Sequence, residues 1–145
     1  MLINLVGMNM RWLVGLPLLL SVAACAAAAP APQGQRFPVF FAPVTATLGN
    51  GGDAVVASAA KFANAHQADP ITLVAYGAPP GHHYVEPADI DTERATAVTE
   101  ALVADGVDKN RISAVAKGPV QPEVPMSKIE VRRVDIIVGT PPSGQ

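Results

Sequence analysis

Charged side chains that could bind a ligand gather in one short stretch of the sequence. Arg94 follows Asp91 by three residues, and Glu86 and Asp89 stand shortly before them. A helix is predicted to begin at Asp89 or Asp91, which places Arg94 in a first turn, where unpaired N–H groups and the helix dipole attract anions. A guanidinium there can hold a carboxylate bidentately. The alternative is a structural i, i+3 pair between Arg94 and Asp91, worth about 0.2–0.5 kcal/mol.

Other candidate side chains lie at predicted strand ends or in loops. Arg132 and Arg133 are adjacent on a predicted strand, so they point to opposite faces and at most one can reach a site. Tyr76 ends another predicted strand, where it either packs or lies against a ligand. His82 and His83 are neighbours without a third spaced ligand, so no metal site is predicted.

The composition of the chain excludes several classes of protein. The 10 Lys and Arg residues against 12 Asp and Glu leave a net charge of −2, which argues against a nucleic-acid binder. Cys25 is the single cysteine, so an internal disulfide or a multi-cysteine metal site cannot form. The sequence has no phosphate loop, no Gly-x-Ser-x-Gly elbow and no acid–base pair at motif spacing, so neither an enzyme nor a cofactor is predicted.

The N-terminus has the pattern of an export signal. Arg11 precedes an apolar run that begins at Trp12, and small residues follow, an order typical of secretory signal peptides. Val22-Ala23-Ala24-Cys25 resembles the lipobox of bacterial lipoproteins, which implies cleavage before Cys25, acylation of its thiol and acylation of the new terminus. Two alternatives stay open: an uncleaved membrane anchor over Trp12–Ala29, and ordinary cleavage that leaves a free thiol.

Strand and helix signals alternate along the rest of the chain. Short apolar or alternating runs predict strands at Phe37–Phe41, Ile71–Tyr76, Arg111–Ala116 and Lys128–Val138. Pro38 either removes a hydrogen-bond donor near the start of the first strand or marks that strand as an edge strand. With one helix in each of the first two gaps between strands, the order β-α-β-α-β-β predicts an α/β sandwich, with both helices packed on one face of a four-stranded sheet.

The two predicted helices have recognisable ends and apolar faces. The first follows the breaker Gly49–Gly52, with Asp53 as its cap, and its predicted face is Val55, Ala59, Phe62 and His66. The second ends at Asp105-Gly106, where Gly106 can adopt the left-handed conformation. Its predicted face is Ile90, Ala97, Val98, Ala101 and Leu102.

Four stretches, between roughly Phe37 and Val138, resemble the OmpA-like C-terminal domain, a peptidoglycan-associating module of Gram-negative envelope proteins. Ile90–Ala95 stands where the family has Leu-Ser-x-x-Arg-Ala, and Leu102–Ile112 is close to its yLvxxGvxxxRI pattern. Gly118 and Pro122 keep its Gly-x-x-x-Pro spacing. Arg132-Arg133-Val134-Asp135-Ile136 matches Asn-Arg-Arg-Val-Glu-Ile, with Val131 in place of Asn. The resemblance implies a mixed sheet.

The resemblance also implies a ligand. In the family, an Asp after the second strand and the arginine of the Leu-Ser motif grip the zwitterionic end of diaminopimelate in the cell-wall stem peptide. This implies peptidoglycan as a partner and Arg94 as the carboxylate-binding residue. Arg133 is favoured over Arg132 as a further contact, together with Tyr76 and Asp91.

Two family residues are missing from that site. The family's Gly-His-Thr-Asp appears here as Ala75-Tyr76-Gly77-Ala78, and its Tyr-Asn falls at Glu86-Pro87. The Asp and the Asn are therefore absent, and Glu86, Asp89 or Asp91 would have to accept the ligand's ammonium group.

These patterns predict a non-catalytic envelope lipoprotein that associates with peptidoglycan. The alternative is a degenerate OmpA-like domain that has lost wall binding and serves as an interaction or assembly component for an envelope protein partner. The expected organisation is a signal peptide at 1–24, a lipidated Cys25 with a tether to 36, the OmpA-like domain at 37–139 and a disordered tail at 140–145. The residue after the cysteine is Ala26, whereas lipoproteins retained in the inner membrane often have Asp at this position. We therefore expect a lipid anchor in the outer membrane and a domain facing the periplasm.

Overall fold

The computed structural model describes residues 34–49, 51–79, 85–119 and 130–141, all within one compact unit, Ala31–Gln145. Its elements are β1 (Gln35–Phe40), α1 (Gly52–Ala65), β2 (Ile71–Gly77), α2 (Ile90–Ala104), a 3-10 turn (Lys109–Arg111), β3 (Ile112–Pro119) and β4 (Arg133–Val138). This is the predicted order of strands and helices. No helix among these residues is long and apolar enough to cross a membrane.

The four strands form one mixed sheet in the order β1-β4-β2-β3. The strand β4 lies antiparallel between β1 and β2, while β2 and β3 are parallel. β1 and β3 are the edges, so Pro38 lies on an edge strand, which is the second of the two predicted alternatives. Both helices pack on one face, where alternate residues of the strands enter a common core with them. The predicted fold, two helices on a mixed four-stranded sheet, is confirmed.

Helix α1 covers the sheet with small side chains. Its buried residues are Gly52, Val56, Ala59, Ala60 and Ala63. The predicted face is therefore rotated: Val55 and Phe62 are half-buried, and His66 is exposed and stacks on Phe62 with ring centroids 4.0 Å apart. The prediction that Asp53 caps α1 is wrong, because the cap is Gly51 at φ 84° and Asp53 lies inside the first turn.

Helix α2 presents a mixed apolar and charged face to the core. Its buried residues are Ile90, Asp91, Arg94, Ala95, Val98 and Leu102. The helix ends as predicted at Gly106, which has φ 86° and donates its N–H to the Val103 carbonyl (3.0 Å). Val107 donates to Leu102 (3.0 Å) and is buried, which completes a Schellman motif.

Several predictions concern residues outside the described ranges. They include the signal peptide, Cys25, most of the tether, the His82-His83 pair, Pro122 and most of the tail. These features remain predictions from sequence.

Candidate functional site

A pocket of about 280 Å³ opens where β2 and β3 end and α2 begins. Its walls are mainly apolar, with Ala78, Ile90 and Pro119 among them, and Glu86 and Asp91 bring two carboxylates to the lining. The carboxyl ends of the parallel strands β2 and β3 meet at this edge of the sheet. Residues that follow β2 and residues that start α2 are thus brought together, as the sequence predicted for Arg94 and its acidic neighbours.

Arg94 lies beside this pocket with a fully buried side chain. It is the fifth residue of α2, just past the first turn in which it was predicted, on the same face as Ile90 and Val98. Its guanidinium carbon stands 5.4 Å from the centroid of the Phe41 ring. The interior position means that water cannot solvate the charge, so protein groups must supply all of its hydrogen bonds.

All five N–H groups of the Arg94 guanidinium have a partner. Nη2 donates to Glu86 Oε1 at 2.5 Å and Nη1 donates to Glu86 Oε2 at 3.2 Å, a bidentate ion pair. The three remaining N–H groups donate to backbone carbonyls, from Nε to Thr45 (3.0 Å), from Nη2 to Ala42 (3.3 Å) and from Nη1 to Tyr76 (3.5 Å). The segment between β1 and α1 therefore helps to hold Arg94, a contribution that sequence patterns did not indicate.

Glu86 is the carboxylate partner of Arg94, and its side chain is only 5% exposed. Besides the two bonds from Arg94, it accepts from the backbone amides of Ala78 (2.8 Å) and Val44 (3.4 Å). Burial by itself raises the pKa of Glu86, but the hydrogen bonds from Arg94 and the two amides, with the charge of Arg94, outweigh it and hold the pKa below its usual value. Glu86 is therefore an ionised, fully bonded group.

Asp91 makes no ion pair with Arg94, so the alternative i, i+3 pair does not form. Its Oδ2 accepts from the Gly118 amide at 2.7 Å and its Oδ1 from the Thr92 amide at 2.9 Å. The residue is 5% exposed, lines the pocket and has no cationic partner within the described part of the chain. Asp91 thus ties the start of α2 to the end of β3 while keeping its charge. Asp89, the third acidic candidate, is exposed at the N-cap of α2 and makes no side-chain capping bond.

The side chains of Tyr76 and Arg133 lie together, away from the helices. Each of these two residues is next in sequence to a core residue of its strand, and neighbouring residues of a strand point to opposite faces. Both side chains therefore project from the sheet face that the helices do not cover. The Arg133 guanidinium stacks over the Tyr76 ring at 4.5 Å, and its Nε donates to Asp135 Oδ2 at 3.1 Å. The buried Asp135 also pairs with Arg36. The structure brings Arg94, Asp91 and the Tyr76 carbonyl to the pocket region, whereas Arg133 belongs to this separate ionic cluster.

Arg132 is buried at 6% exposure, and its Nε has no hydrogen-bond partner among the residues that the structure describes. Among the described residues, no group of three His, Cys, Asp or Glu side chains could hold a metal ion.

A family model described as the OmpA family matches residues 40–135. The chain therefore belongs to the OmpA family, in agreement with the resemblance that the sequence motifs indicated. The matched segment spans the described sheet from the end of β1 into β4 and includes Arg94 and Glu86. No curated protein sequence matches the chain.

Solved structures of similar fold come from several bacterial envelope proteins. The peptidoglycan-associated lipoprotein of Burkholderia pseudomallei is 20% identical, with a TM-score of 0.59 over 70% of this chain and 88% of that one. The periplasmic domain of Helicobacter pylori MotB is 17% identical, with a TM-score of 0.60 over 74% and 77%. The OmpA-like domain of FopA1 from Francisella tularensis is 23% identical, with a TM-score of 0.59 over 73% and 72%. At these identities the likeness establishes the fold.

Proposed function

We propose that this chain is a non-catalytic envelope protein that associates with peptidoglycan through its OmpA-like domain. The observation that carries the proposal is Arg94, which stands beside the pocket and holds a carboxylate bidentately. The resemblance assigns carboxylate recognition in the wall peptide to this position. The similar fold of the Burkholderia peptidoglycan-associated lipoprotein supports the same class of ligand.

The proposal includes a lipid anchor. The lipobox-like Val22-Ala23-Ala24-Cys25 supports cleavage of residues 1–24 and acylation of Cys25. Residues 25–36 would then tether the domain, 37–139, to the outer membrane, with the domain in the periplasm. Two or more acyl chains on one terminus give stable membrane attachment, whereas a single chain holds only reversibly.

A second candidate function is an interaction or assembly component without wall binding. Arg94 is fully buried and all of its N–H groups already have partners within the chain, so it has no free donor for a ligand. Ala78 also stands where the family carries its Asp. Both features favour a site that keeps its architecture and has lost its original ligand.

Co-sedimentation with purified diaminopimelate-type sacculi separates the two candidates. The full chain in detergent is compared with Arg94→Ala and with Arg111→Ala, each checked for folding by circular dichroism. Arg111 is a matched control, because it also donates to backbone carbonyls, those of Asp69, Ala63 and His66, at the opposite end of β2.

We expect the wild type and Arg111→Ala to sediment with sacculi and Arg94→Ala to lose most of its binding. Arg94→Ala leaves the buried carboxylate of Glu86 beside the pocket without its cation, and loss of one partner of a buried ion pair costs about 3–5 kcal/mol. Sedimentation of folded Arg94→Ala at the wild-type level would place wall binding outside this pocket. Failure of the wild type to sediment would support the interaction component instead.

A further inference from the structure

The carboxylate position at Arg94 is already filled by the chain itself. Glu86 takes two of the five guanidinium N–H groups and backbone carbonyls take the other three. A ligand carboxylate arriving at Arg94 would find no free donor on it. A guanidinium has five N–H groups and no more, so recognition of a second carboxylate by Arg94 requires that Glu86 leave.

Glu86 is equally saturated. An ionised carboxylate offers about four lone-pair positions, and Glu86 receives four donors: two from Arg94, the Ala78 amide and the Val44 amide. Displacing it would leave two backbone amides and two N–H groups of the buried guanidinium without partners. Each unsatisfied buried donor costs about 1–3 kcal/mol, more for a charged one, so the pair is a closed unit.

The remaining charge of the pocket comes from Asp91. The charges of Arg94 and Glu86 cancel, and no cation pairs with Asp91 among the described residues. Within the described part of the chain, each of its oxygens accepts one hydrogen bond, which leaves each with a second acceptor position. A ligand carboxylate would therefore meet a net negative pocket, whereas an ammonium group would meet an acceptor. The apolar walls suit a short aliphatic stem between polar groups.

We infer that Glu86 sets the ligand specificity of this pocket. It occupies the carboxylate position, so the native site prefers an ammonium-bearing peptide end whose neighbouring carboxylate is neutralised, as in a carboxamide, over one whose carboxylate is free. This inference rests on the proposed wall-peptide function and names the chemical form of the wall peptide that the site accepts. Asp91 receives the ammonium group, and the Arg94–Glu86 pair forms an uncharged wall beside the carboxamide.

The test uses two stem tripeptides that end in diaminopimelate and differ at one group. In one the side-chain carboxylate is free, and in the other it is a carboxamide. Their dissociation constants are measured by calorimetry with the full chain in detergent, as the wild type and as Glu86→Gln. Glu93→Gln is the matched control, because Glu93 is an exposed carboxylate in the first turn of α2.

We expect the wild type and Glu93→Gln to bind the carboxamide peptide about tenfold more tightly than the free acid, because the free carboxylate meets the like charge of Asp91 in the pocket. Glu86→Gln keeps the size of the side chain and frees the charge of Arg94, so it should reverse the order. Glu86→Gln combined with Arg94→Met removes both charges. This double variant has no unpaired cation that could destabilise the fold, so it serves as the second test variant. In it, the free-acid peptide should no longer bind more tightly than the carboxamide peptide.

Three results would overturn this specificity. The first is tighter binding of the free acid by the wild type. The second is an order of affinities that Glu86→Gln leaves unchanged. The third is a reversal that persists in the double variant. If neither peptide binds the wild type or Glu86→Gln, and sacculi also fail to sediment the wild type, the proposed function itself is wrong. If sacculi bind through Arg94 while the peptide order fails, only the role of Glu86 is wrong.

Discussion

At the scale of single residues, the buried pair of Arg94 and Glu86 determines what the pocket can do. A buried ion pair adds little net stability compared with apolar packing, but removal of one partner strands the other and costs about 3–5 kcal/mol. Here both members are almost fully buried and completely hydrogen-bonded. The pair therefore links the segment between β1 and α1 to β2 and α2 through charged groups that must be kept or lost together.

The lowered pKa of Glu86 predicts a pH dependence of stability. A carboxyl group whose folded pKa lies below its unfolded value, about 4.3, stabilises the fold fully above that value and less as the pH falls through the folded pKa. We expect Glu86→Gln to be less stable than the wild type at pH 6. Its free energy of unfolding should fall less steeply below about pH 4.3, by at most about 1.4 kcal/mol per pH unit for a single group.

Urea unfolding of both proteins between pH 6 and pH 3 measures this difference. Glu93→Gln, which removes an exposed carboxylate from α2, is the control. Parallel pH curves for the wild type and Glu86→Gln would mean that Glu86 titrates alike in the folded and unfolded states, against the ion pair described above.

The sequence contained the signal for the burial of Arg94 but not for its partner. Ile90, Arg94, Val98 and Leu102 recur at intervals of four, so a helical face read without regard to charge includes the arginine. The choice of Glu86 over Asp89 or Asp91 depends on the Ala78 and Val44 amides, which lie at other points of the chain. Contacts of that range are set by the fold and leave no local pattern.

At the scale of elements, local signals predicted the strands and helices well and some of their ends less well. The Schellman end of α2 was predictable, because Asp105-Gly106 is a local signal with a local cause. The start of α1 was not, because Gly51 in the left-handed conformation supplies the turn that we assigned to an Asp53 cap. The predicted face of α1 was rotated because Val56, Ala60 and Ala63 contact the core more closely than Phe62 does.

The left-handed conformation of Gly106 predicts a measurable cost for any side chain there. Its φ is +86°, and an added Cβ would meet only Asn64 Nδ2, at an ordinary 3.8 Å. Gly106→Ala should therefore lower the free energy of unfolding by about 1–2 kcal/mol through backbone strain alone. Gly49→Ala is the control, since a methyl group added at Gly49 would have no neighbour within 4 Å and the residue has no positive φ. It should change stability by less than about 0.5 kcal/mol.

Chemical denaturation of the two glycine variants measures the two free energies of unfolding. Equal stabilities of Gly106→Ala and Gly49→Ala would contradict the Schellman assignment at the end of α2.

At the scale of the whole molecule, the lipid anchor is the feature that the sequence predicts and the described residues do not include. We expect labelled palmitate to be incorporated into the full chain, and the chain to fractionate with the outer membrane. Cys25→Ser should remove the label and shift most of the protein to the soluble periplasmic fraction, because acyl chains supply about 0.8 kcal/mol per buried CH₂ group. Ser58→Ala, an exposed position on α1, is the control. Label that persists in Cys25→Ser would contradict acylation at this cysteine.

The fold as a whole was predictable because element order and apolar patterning are properties of the entire chain. The OmpA-family motifs indicated the mixed sheet, and the structure confirmed it. The pocket was less predictable, because its character depends on two charged groups that meet only after the sheet has formed. The family resemblance identified the arginine. Only the three-dimensional contacts show that a side chain of the protein itself fills the carboxylate position beside it.

The strand order also dictates when this protein can fold. The last strand, β4, lies inside the sheet, and β1 has no other strand to pair with. Arg36 and Asp135, which meet across that pairing, are 99 residues apart in the chain. A growing polypeptide therefore carries β1 unpaired, and β2 exposed along one edge, until β4 has been synthesised. Pairing of strands so far apart in the chain is slow, so the sheet is complete only when β4 has taken its place between β1 and β2.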